Sequence, residues 1–281
     1  MTADFAGRVA LVVGASRGIG AGTARAWATA GAAVVLAARD QVALGSVRDE
    51  ITAAGGHAVA VPTDATSESA VRDLVDRTMA EYGRLDYAFN NITAGPMPGP
   101  LATTEVAAFD EGIAANIRAT FLGLKYQIPA ILAGGGGAVV NMASVAGVRA
   151  TANLGTYVTG KAGIVALTKV AALDYADHGI RVNVVAPGPI LTHHLQRAGE
   201  EAQRMAAAST PLGRVGTVDD VAHAVLWLCS AEASFITGVT LPVDGGQSAG
   251  VIPPAMYRPG HGMERARSLS ADVLDRSLQQ H

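Results

Sequence analysis

Tyr157 and Lys161 stand four positions apart, and Ser144 lies upstream of them. Side chains at i and i+4 share one face of a helix, so this spacing lays an ammonium beside a phenol. A free phenol ionises near pH ~10 and exchanges protons poorly at neutrality; a nearby cation favours its anion and lowers that pKa. A tyrosine tuned in this way can trade a proton with a carbonyl or an alcohol. The loop Gly14-Ala15-Ser16-Arg17-Gly18-Ile19-Gly20 near the N-terminus points to a nucleotide as the source of a hydride. A Tyr-x-x-x-Lys pair alone is common on solvated helix faces. The order of all these pieces in one chain is what argues for a reaction.

Such groups need a scaffold, and short β-rich runs alternate here with longer helical patterns. Val9–Val13 reads as a buried first strand, followed by the glycine turn and a helix over about 19–30. Further strands are expected at 33–37, 57–61, 85–89, 138–142, 181–185 and 238–243. A helix running through Ile51 follows the second strand, and the four glycines at 134–137 connect a helix to the fifth. Continuous apolar strands separated by helices imply a parallel sheet covered on both faces, and right-handed crossovers make it doubly wound. The expected fold is an α/β Rossmann fold with a seven-stranded parallel sheet in a single domain, residues 1–250, followed by a C-terminal extension, 251–281. In that extension Pro253, Pro254 and Pro259 interrupt the chain, and Leu269, Val273, Leu274 and Leu278 could share one helical face. A docked helix and a frayed tail fit it equally well.

The 281 residues carry a formal net charge of −3, which leaves no basic footprint for nucleic acid. No apolar run reaches the ~18 residues of a membrane span. Met1-Thr2-Ala3-Asp4-Phe5 lacks the basic and apolar regions of a secretory signal. Cys229 is the only cysteine, so no intrachain disulfide can form, and it reads as a small core residue. These features predict a soluble, cytoplasmic protein. No His/Cys/Asp cluster has zinc-site spacing, so a metal-free hydride transfer is expected.

Strand, glycine loop and helix are the context of a dinucleotide site, with phosphate held at the helix N-terminus. An acidic residue at the end of the second strand would bind a ribose 2′-hydroxyl and repel a 2′-phosphate. Here that position is Ala38, followed by Arg39, while Arg17 lies inside the loop. Two guanidinium groups can converge on the extra phosphate, which favours NADP(H) over NAD(H). Asp40 competes, since it could pair with Arg39 or reach a ribose. Asp64, after the third strand, could accept from an adenine amino group or cap the next helix; Thr66 and Ser67 read as capping residues.

From about Gly7 to Gly246 the chain resembles the classical short-chain dehydrogenase/reductase family, most like its 3-oxoacyl-carrier-protein reductase type. The resemblance rests on Gly14 to Gly20, Asp64, Asn90-Asn91, Asn116, Asn141-Met142-Ala143-Ser144, Tyr157-Val158-Thr159-Gly160-Lys161, Asn183, Pro187-Gly188 and Val243-Asp244-Gly245-Gly246. It implies that Tyr157 is the general acid or base. Lys161 would lower its pKa and hold the nicotinamide ribose. Ser144 would bind the substrate oxygen, and Asn116 would hold a water in a proton relay. It further implies cofactor contacts from Gly14, Ser16, Arg17, Gly18, Ile19, Gly20, Arg39, Asp64, Asn90, Pro187, Gly188, Ile190 and Thr192. Two departures stand out. Val13 replaces a threonine whose hydroxyl would tie the loop to a neighbouring strand, which predicts weaker cofactor binding. The usual Asn-Asn-Ala-Gly becomes Asn90-Asn91-Ile92-Thr93-Ala94-Gly95, which predicts a shifted loop.

Ligands of open parallel sheets bind beyond the carboxyl ends of the strands. The substrate walls are therefore expected from Pro96, Met97, Pro98 and Pro100, from Val145, Val148, Arg149, Ala152, Asn153 and Leu154, and from Ile190, Leu191, His193 and His194. They are mostly apolar, which favours a hydrophobic or mixed carbonyl compound; Arg149 could contact an anionic group. The leading reading is an NADPH-dependent carbonyl reductase acting reversibly on a secondary alcohol. An NAD-dependent alcohol or diol dehydrogenase is the alternative, and a non-catalytic nucleotide-binding regulator a third. By analogy, the apolar helices carrying Asn116 and Tyr157 imply a homotetramer.

Overall fold

A computed structural model describes residues 5–93 and 98–250. Its centre is a seven-stranded sheet of β1 (Val9–Val13), β2 (Ala33–Ala38), β3 (His57–Pro62), β4 (Tyr87–Asn90), β5 (Gly137–Met142), β6 (Ile180–Pro187) and β7 (Thr240–Val243). The strands run in the order β3-β2-β1-β4-β5-β6-β7 and every pair is parallel. The helices are α1 (Gly18–Thr29), α2 (Gln41–Ala53), α3 (Glu68–Tyr82), α4 (Val106–Ile113), α5 (Ala119–Ala133), α6 (Val145–Val148), α7 (Gly155–Tyr175), α8 (His193–Arg197), α9 (Gly199–Ala208) and α10 (Val218–Cys229). Residues up to Ser248 form one compact unit. Ala94, Gly95, Pro96 and Met97, and the extension at 251–281, lie outside the described residues.

Strand β1 shows why the apolar runs are continuous. Successive side chains point to opposite faces. Ala10 and Val12 join Trp27, Leu44, Val47, Val221 and Val225 on the side of α1, α2 and α10. Val9, Leu11 and Val13 join Leu74, Val75, Leu124, Ile128 and Ile131 on the side of α3 and α5. Both faces are covered, so neither set can be polar. Each fully buried large side chain contributes about 1.5–3 kcal/mol to this two-sided core.

Polar residues set the ends. Ser67 caps α3 by accepting from Ala70 N, and Thr217 and Asp220 form a reciprocal capping box at the start of α10. The fourth strand was expected from Leu85 but begins at Tyr87. Asp86 forms a corner first: its carboxylate accepts from Val9 N and pairs with Arg8 and Arg84. Burial raises the pKa of Asp86, yet the bonds from Arg84, Val9 N and Arg8 outweigh it and hold the carboxyl below its ordinary value. The seventh strand begins at Thr240 instead of Gly238, because Gly238 turns in with φ +73° and donates its N–H to Val182 O.

The strand order reverses between β1 and β4. The glycine loop leaves β1 there, and Asn91 and Ile92 leave β4. This switch point is where a doubly wound sheet opens a crevice.

Candidate active site

The glycine loop is held from two sides. Gly14 N and Ala15 N donate to Ala37 O at 2.7 and 3.1 Å, and Asn91 Nδ2 donates to Gly14 O at 3.0 Å. Gly14 has φ +86°, and a Cβ there or on Gly20 would collide with Asn91 O or Gly14 O respectively. Val13, which stands where the family usually has a threonine, is buried apolar core; the bond from Asn91 ties the loop to the end of β4. Helix α1 then starts at Gly18 with no side-chain cap and no acidic residue in its first turn. Its free N–H groups and positive dipole end suit a pyrophosphate. Thr192 lies over this turn, its Cγ2 3.5 Å from where a Gly18 Cβ would stand. Glycines that admit no side chain, an uncapped helix start and the overhanging Thr192 fit a dinucleotide.

Lys161 is fully buried on α7, and its Nζ donates to Ile92 O at 3.0 Å and Met142 O at 3.1 Å. An ammonium has three donors, so one remains for a ribose hydroxyl. The same nitrogen lies 5.8 Å from the centroid of the Tyr157 ring, as the four-residue spacing requires. Ser144 ends β5's run into α6 and accepts from Ala146 N at 3.2 Å, and its hydroxyl lies close enough to the Tyr157 phenol to lower that group's pKa. Phenol, seryl hydroxyl and lysyl amine thus meet at the carboxyl ends of β4 and β5.

One expectation is corrected by this geometry. The phenol was expected to be acidified by its lysine. Instead burial pushes the Tyr157 pKa up, and the bond from Ser144 only partly offsets it. Burial also drives Lys161 down from 10.5 to about 7. Desolvation penalises both charged forms, so near neutrality the lysine is a weakened source of positive charge.

Asn116 sits on a wide π-helical turn, Ala114–Arg118, between α4 and α5. It is fully buried; Nδ2 donates to Gly112 O at 2.8 Å, and Oδ1 has no partner among the described residues. Gly160 lets this turn approach α7, since a Cβ there would lie 2.9 Å from Asn116 Cβ. Asn116 is therefore brought against the turn carrying Lys161, with a buried acceptor to offer.

Asn90 is placed differently from the adenosine contact expected of it. Its Nδ2 donates to Gln127 Oε1 at 3.0 Å and Asn141 Oδ1 at 2.9 Å, while Gln127 Nε2 donates to Asn90 Oδ1 at 2.8 Å. Asn141 Nδ2 continues the chain to Thr168 Oγ1 at 2.9 Å. This buried amide chain ties β4 and β5 to α5 and α7, beneath the site. The side chain of Asn90 is spent inside the protein, and Asn91 faces the cofactor loop.

At the adenosine end, Arg17 Nη2 pairs with Asp40 Oδ2 at 2.7 Å, while Asp40 Oδ1 caps α2 through Ala43 N. Asp64 accepts from Thr66 N and Oγ1, bonds that with Arg39 nearby hold its carboxyl below the usual value. The expected pair of free guanidiniums is thus reduced to one: Arg17 already has a carboxylate. Arg39 has no hydrogen-bonded partner among the described residues, and Ala38 presents no acid.

The loop after β6 is anchored where Ile190 bridges to Gly216 and Leu191 N donates to Gly216 O at 2.8 Å. Pro187 ends β6, and Gly188 N donates to Val243 O at 3.1 Å. His193 lines a groove of about 1360 Å³ with Gly18, Arg25, Thr192 and Trp227, between α1, α8 and α10. Opposite, Gly99 N donates to Asn153 O at 2.9 Å, clasping the loop after β4 to the segment before Tyr157. Ser16 and Ile19 lie in the loop and first helical turn as expected.

A family model described as enoyl-(acyl carrier protein) reductase, a short-chain alcohol dehydrogenase type, matches residues 14–248. The chain belongs to the short-chain dehydrogenase/reductase family. It is 41% identical over 244 residues to an A-factor type gamma-butyrolactone 1'-reductase (1S-forming) of Streptomyces virginiae, covering 85% of this chain and 95% of that protein. It is 41% identical over 248 residues to a cyclohexanol dehydrogenase of an Acinetobacter strain, covering 87% and 96%. A solved 7α-hydroxysteroid dehydrogenase, complexed with NADH and 7-oxo glycochenodeoxycholic acid, superposes with a TM-score of 0.82 at 34% identity, covering 86% and 95%. This chain is accordingly an oxidoreductase acting on CH–OH groups, of a family that uses NAD(P)(H). Among the described residues no helix is long and apolar enough to cross a membrane.

Proposed function

We propose that the protein interconverts a secondary alcohol and a ketone with NADP(H), on an apolar, cyclic substrate. The observation that carries this reading is the meeting of Ser144, Tyr157 and Lys161 beside the glycine loop. Ser144 holds the substrate oxygen through its hydroxyl and stabilises charge developing there. Tyr157 hands its phenolic proton to that oxygen in reduction and takes it back in oxidation. Lys161, fixed by the Ile92 and Met142 carbonyls, holds the ribose with its remaining donor and supplies positive charge when protonated. Asn116 Oδ1 offers an acceptor to a water that returns protons towards Lys161. The nicotinamide, when bound, supplies or accepts the hydride. Leu101, packed at Gly155 where the helix of Tyr157 begins, and Val148, at the end of the turn after Ser144, stay exposed at 70% and 52% and favour an apolar substrate. The cyclohexanol and hydroxysteroid relatives favour a ring.

NADP(H) is preferred on Arg39, which has no hydrogen-bonded partner among the described residues and only the Asp64 carboxylate nearby, and on the absence of a carboxylate at Ala38. The Arg17–Asp40 pair is exposed and worth at most about 1 kcal/mol, so a 2′-phosphate can replace the carboxylate on Arg17. The same pair favours the second reading, an NAD-dependent alcohol or diol dehydrogenase. Initial rates on cyclohexanone with NADPH and NADH decide between them, and Arg39→Asp should reverse a preference for NADPH. Tyr157→Phe should retain NADPH binding and lower kcat by about 10²–10⁴-fold. Unchanged turnover in that variant would refute the reading.

Self-association into a homotetramer is proposed through the face of α5 and α7 where Phe121, Val170 and Leu173 are exposed. Sedimentation equilibrium tests it. A lone cysteine, buried at Cys229, and NADP(H) chemistry fit a cytoplasmic enzyme.

A further inference from the structure

Helix α7 carries Tyr157 in its first turn, and that turn has no ordinary cap. Leu154 precedes it with no side-chain hydrogen bond to the helix, and no acidic residue stands in the turn. Helix ends of this kind fray first. From Gly160 onward the helix is pinned by close packing. A Cβ on Gly160 would lie 2.9 Å from Asn116 Cβ, one on Gly163 2.5 Å from Ile117 Cδ1, and one on Gly147 of α6 2.7 Å from Lys161 C. Lys161 is therefore fixed by its surroundings, while Tyr157 stands one turn nearer the open end.

Asn153 closes that end. Among the described residues it is the one non-glycine residue with positive φ, at +64°. Asparagine enters this left-handed region more readily than most residues with a Cβ, and a β-branched residue is an outlier there. Asn153 O accepts from Gly99 N at 2.9 Å, and Gly99 pairs with Leu154 in a parallel bridge. Leu154 O then accepts from Val158 N at 2.8 Å, the first bond of the helix. The segment that begins at Gly99 also packs on the next two residues. Leu101 Cδ1 lies 2.8 Å from where a Gly155 Cβ would stand, and Thr156 fills the place of a Gly112 Cβ. A strained backbone persists where its surroundings hold it from several sides, and such places gather at functional sites.

We propose that Asn153 is a positioning residue for the reaction. Its left-handed backbone, locked by Gly99, sets the entry into α7 and so where the Tyr157 phenol stands against Ser144 and Lys161. The proposal rests on the reading of Tyr157 as the group that exchanges the proton. Asn153 acts through its backbone, and its carboxamide, on an exposed residue, is dispensable.

The test compares Asn153→Gly, Asn153→Ala and Asn153→Val in the full-length protein, reducing cyclohexanone with NADPH. All three lose the carboxamide and differ in how readily they adopt φ +64°. Asn153→Gly should keep most of the wild-type kcat, Asn153→Ala should lose part of it, and Asn153→Val should lose about 10–100-fold, the scale of a slightly misplaced reacting group. The Kd for NADPH, from fluorescence titration, should be the same in all of them. In a Tyr157→Phe background Asn153→Val should lower the residual kcat no further, because a residue acting through the phenol has nothing left to place. A glycine variant as slow as the valine variant, a valine variant as fast as the wild type, or an equal further loss in the Tyr157→Phe background overturns the proposal. Full turnover in Tyr157→Phe, or none in the wild type, defeats the reading of the reaction instead. The placement of the first turn is then decided by hydrogen exchange. The Val158 amide should exchange about tenfold or more faster in Asn153→Val than in Asn153→Gly, with the amides beyond Gly160 alike in both. Equal exchange at Val158 overturns the placement.

Discussion

Lys161 should make this protein more stable as the pH rises above neutrality. Burial holds its amine at about 7, against 10.5 for the exposed group. Between those values the unfolded chain keeps a proton that the folded chain has released, so stability rises with pH across that window and levels off above it. One pKa unit corresponds to about 1.4 kcal/mol, and integrating from pH 7 to pH 9 gives about 2 kcal/mol. Lys161→Met is the comparison. It removes the titration and leaves the Ile92 and Met142 carbonyls without their donor, a loss that shifts stability similarly at every pH. Other groups, such as the Cys229 thiol that burial pushes up to about 12, titrate alike in both proteins. Urea unfolding at pH 7, 8 and 9, at one ionic strength, should show the wild type gaining about 2 kcal/mol on the variant. Parallel curves would mean that the folded amine titrates like a solvated one, and the account of a desolvated lysine would be wrong.

Asn91→Ala removes the bond to Gly14 O and should raise KM for NADPH about 3–10-fold, the scale of one hydrogen bond, with kcat changed less; initial-rate kinetics check this. Gln127→Leu strands the Asn90 carbonyl oxygen in the core and should cost about 1–3 kcal/mol by denaturant unfolding, while a neutral result would make the amide chain dispensable.

Much of the scaffold was legible before any coordinates. Apolar strand runs, Ser67 as a cap and the glycine connection ahead of β5 depend on neighbouring residues, and local physics decides them. Strand ends were less legible. Nothing near Leu85 signals that Asp86 will turn inward to meet Val9 N and the two arginines, because those partners are set by how β1 lies against β4. The inward turn of Asn90, and the bond from Asn91 to the glycine loop, were illegible for a similar reason. Adjacent residues at a strand end point to opposite sides, and only the register with Val13 and Asn141 shows which side is core.

The sequence by itself determined that a phenol and an amine share a helix face, that a glycine loop follows the first strand, and that the sheet is parallel and covered on both sides. These are consequences of spacing, steric freedom and side-chain alternation. Only the tertiary structure decided that Lys161 hangs from the Ile92 and Met142 carbonyls, that burial pushes its amine down and the Tyr157 phenol up, and that Arg17 already has Asp40. Every residue carries a carbonyl, so its use as a partner leaves no mark in composition. Desolvation, likewise, is a property of what packs around a group, and distant parts of the chain do that packing.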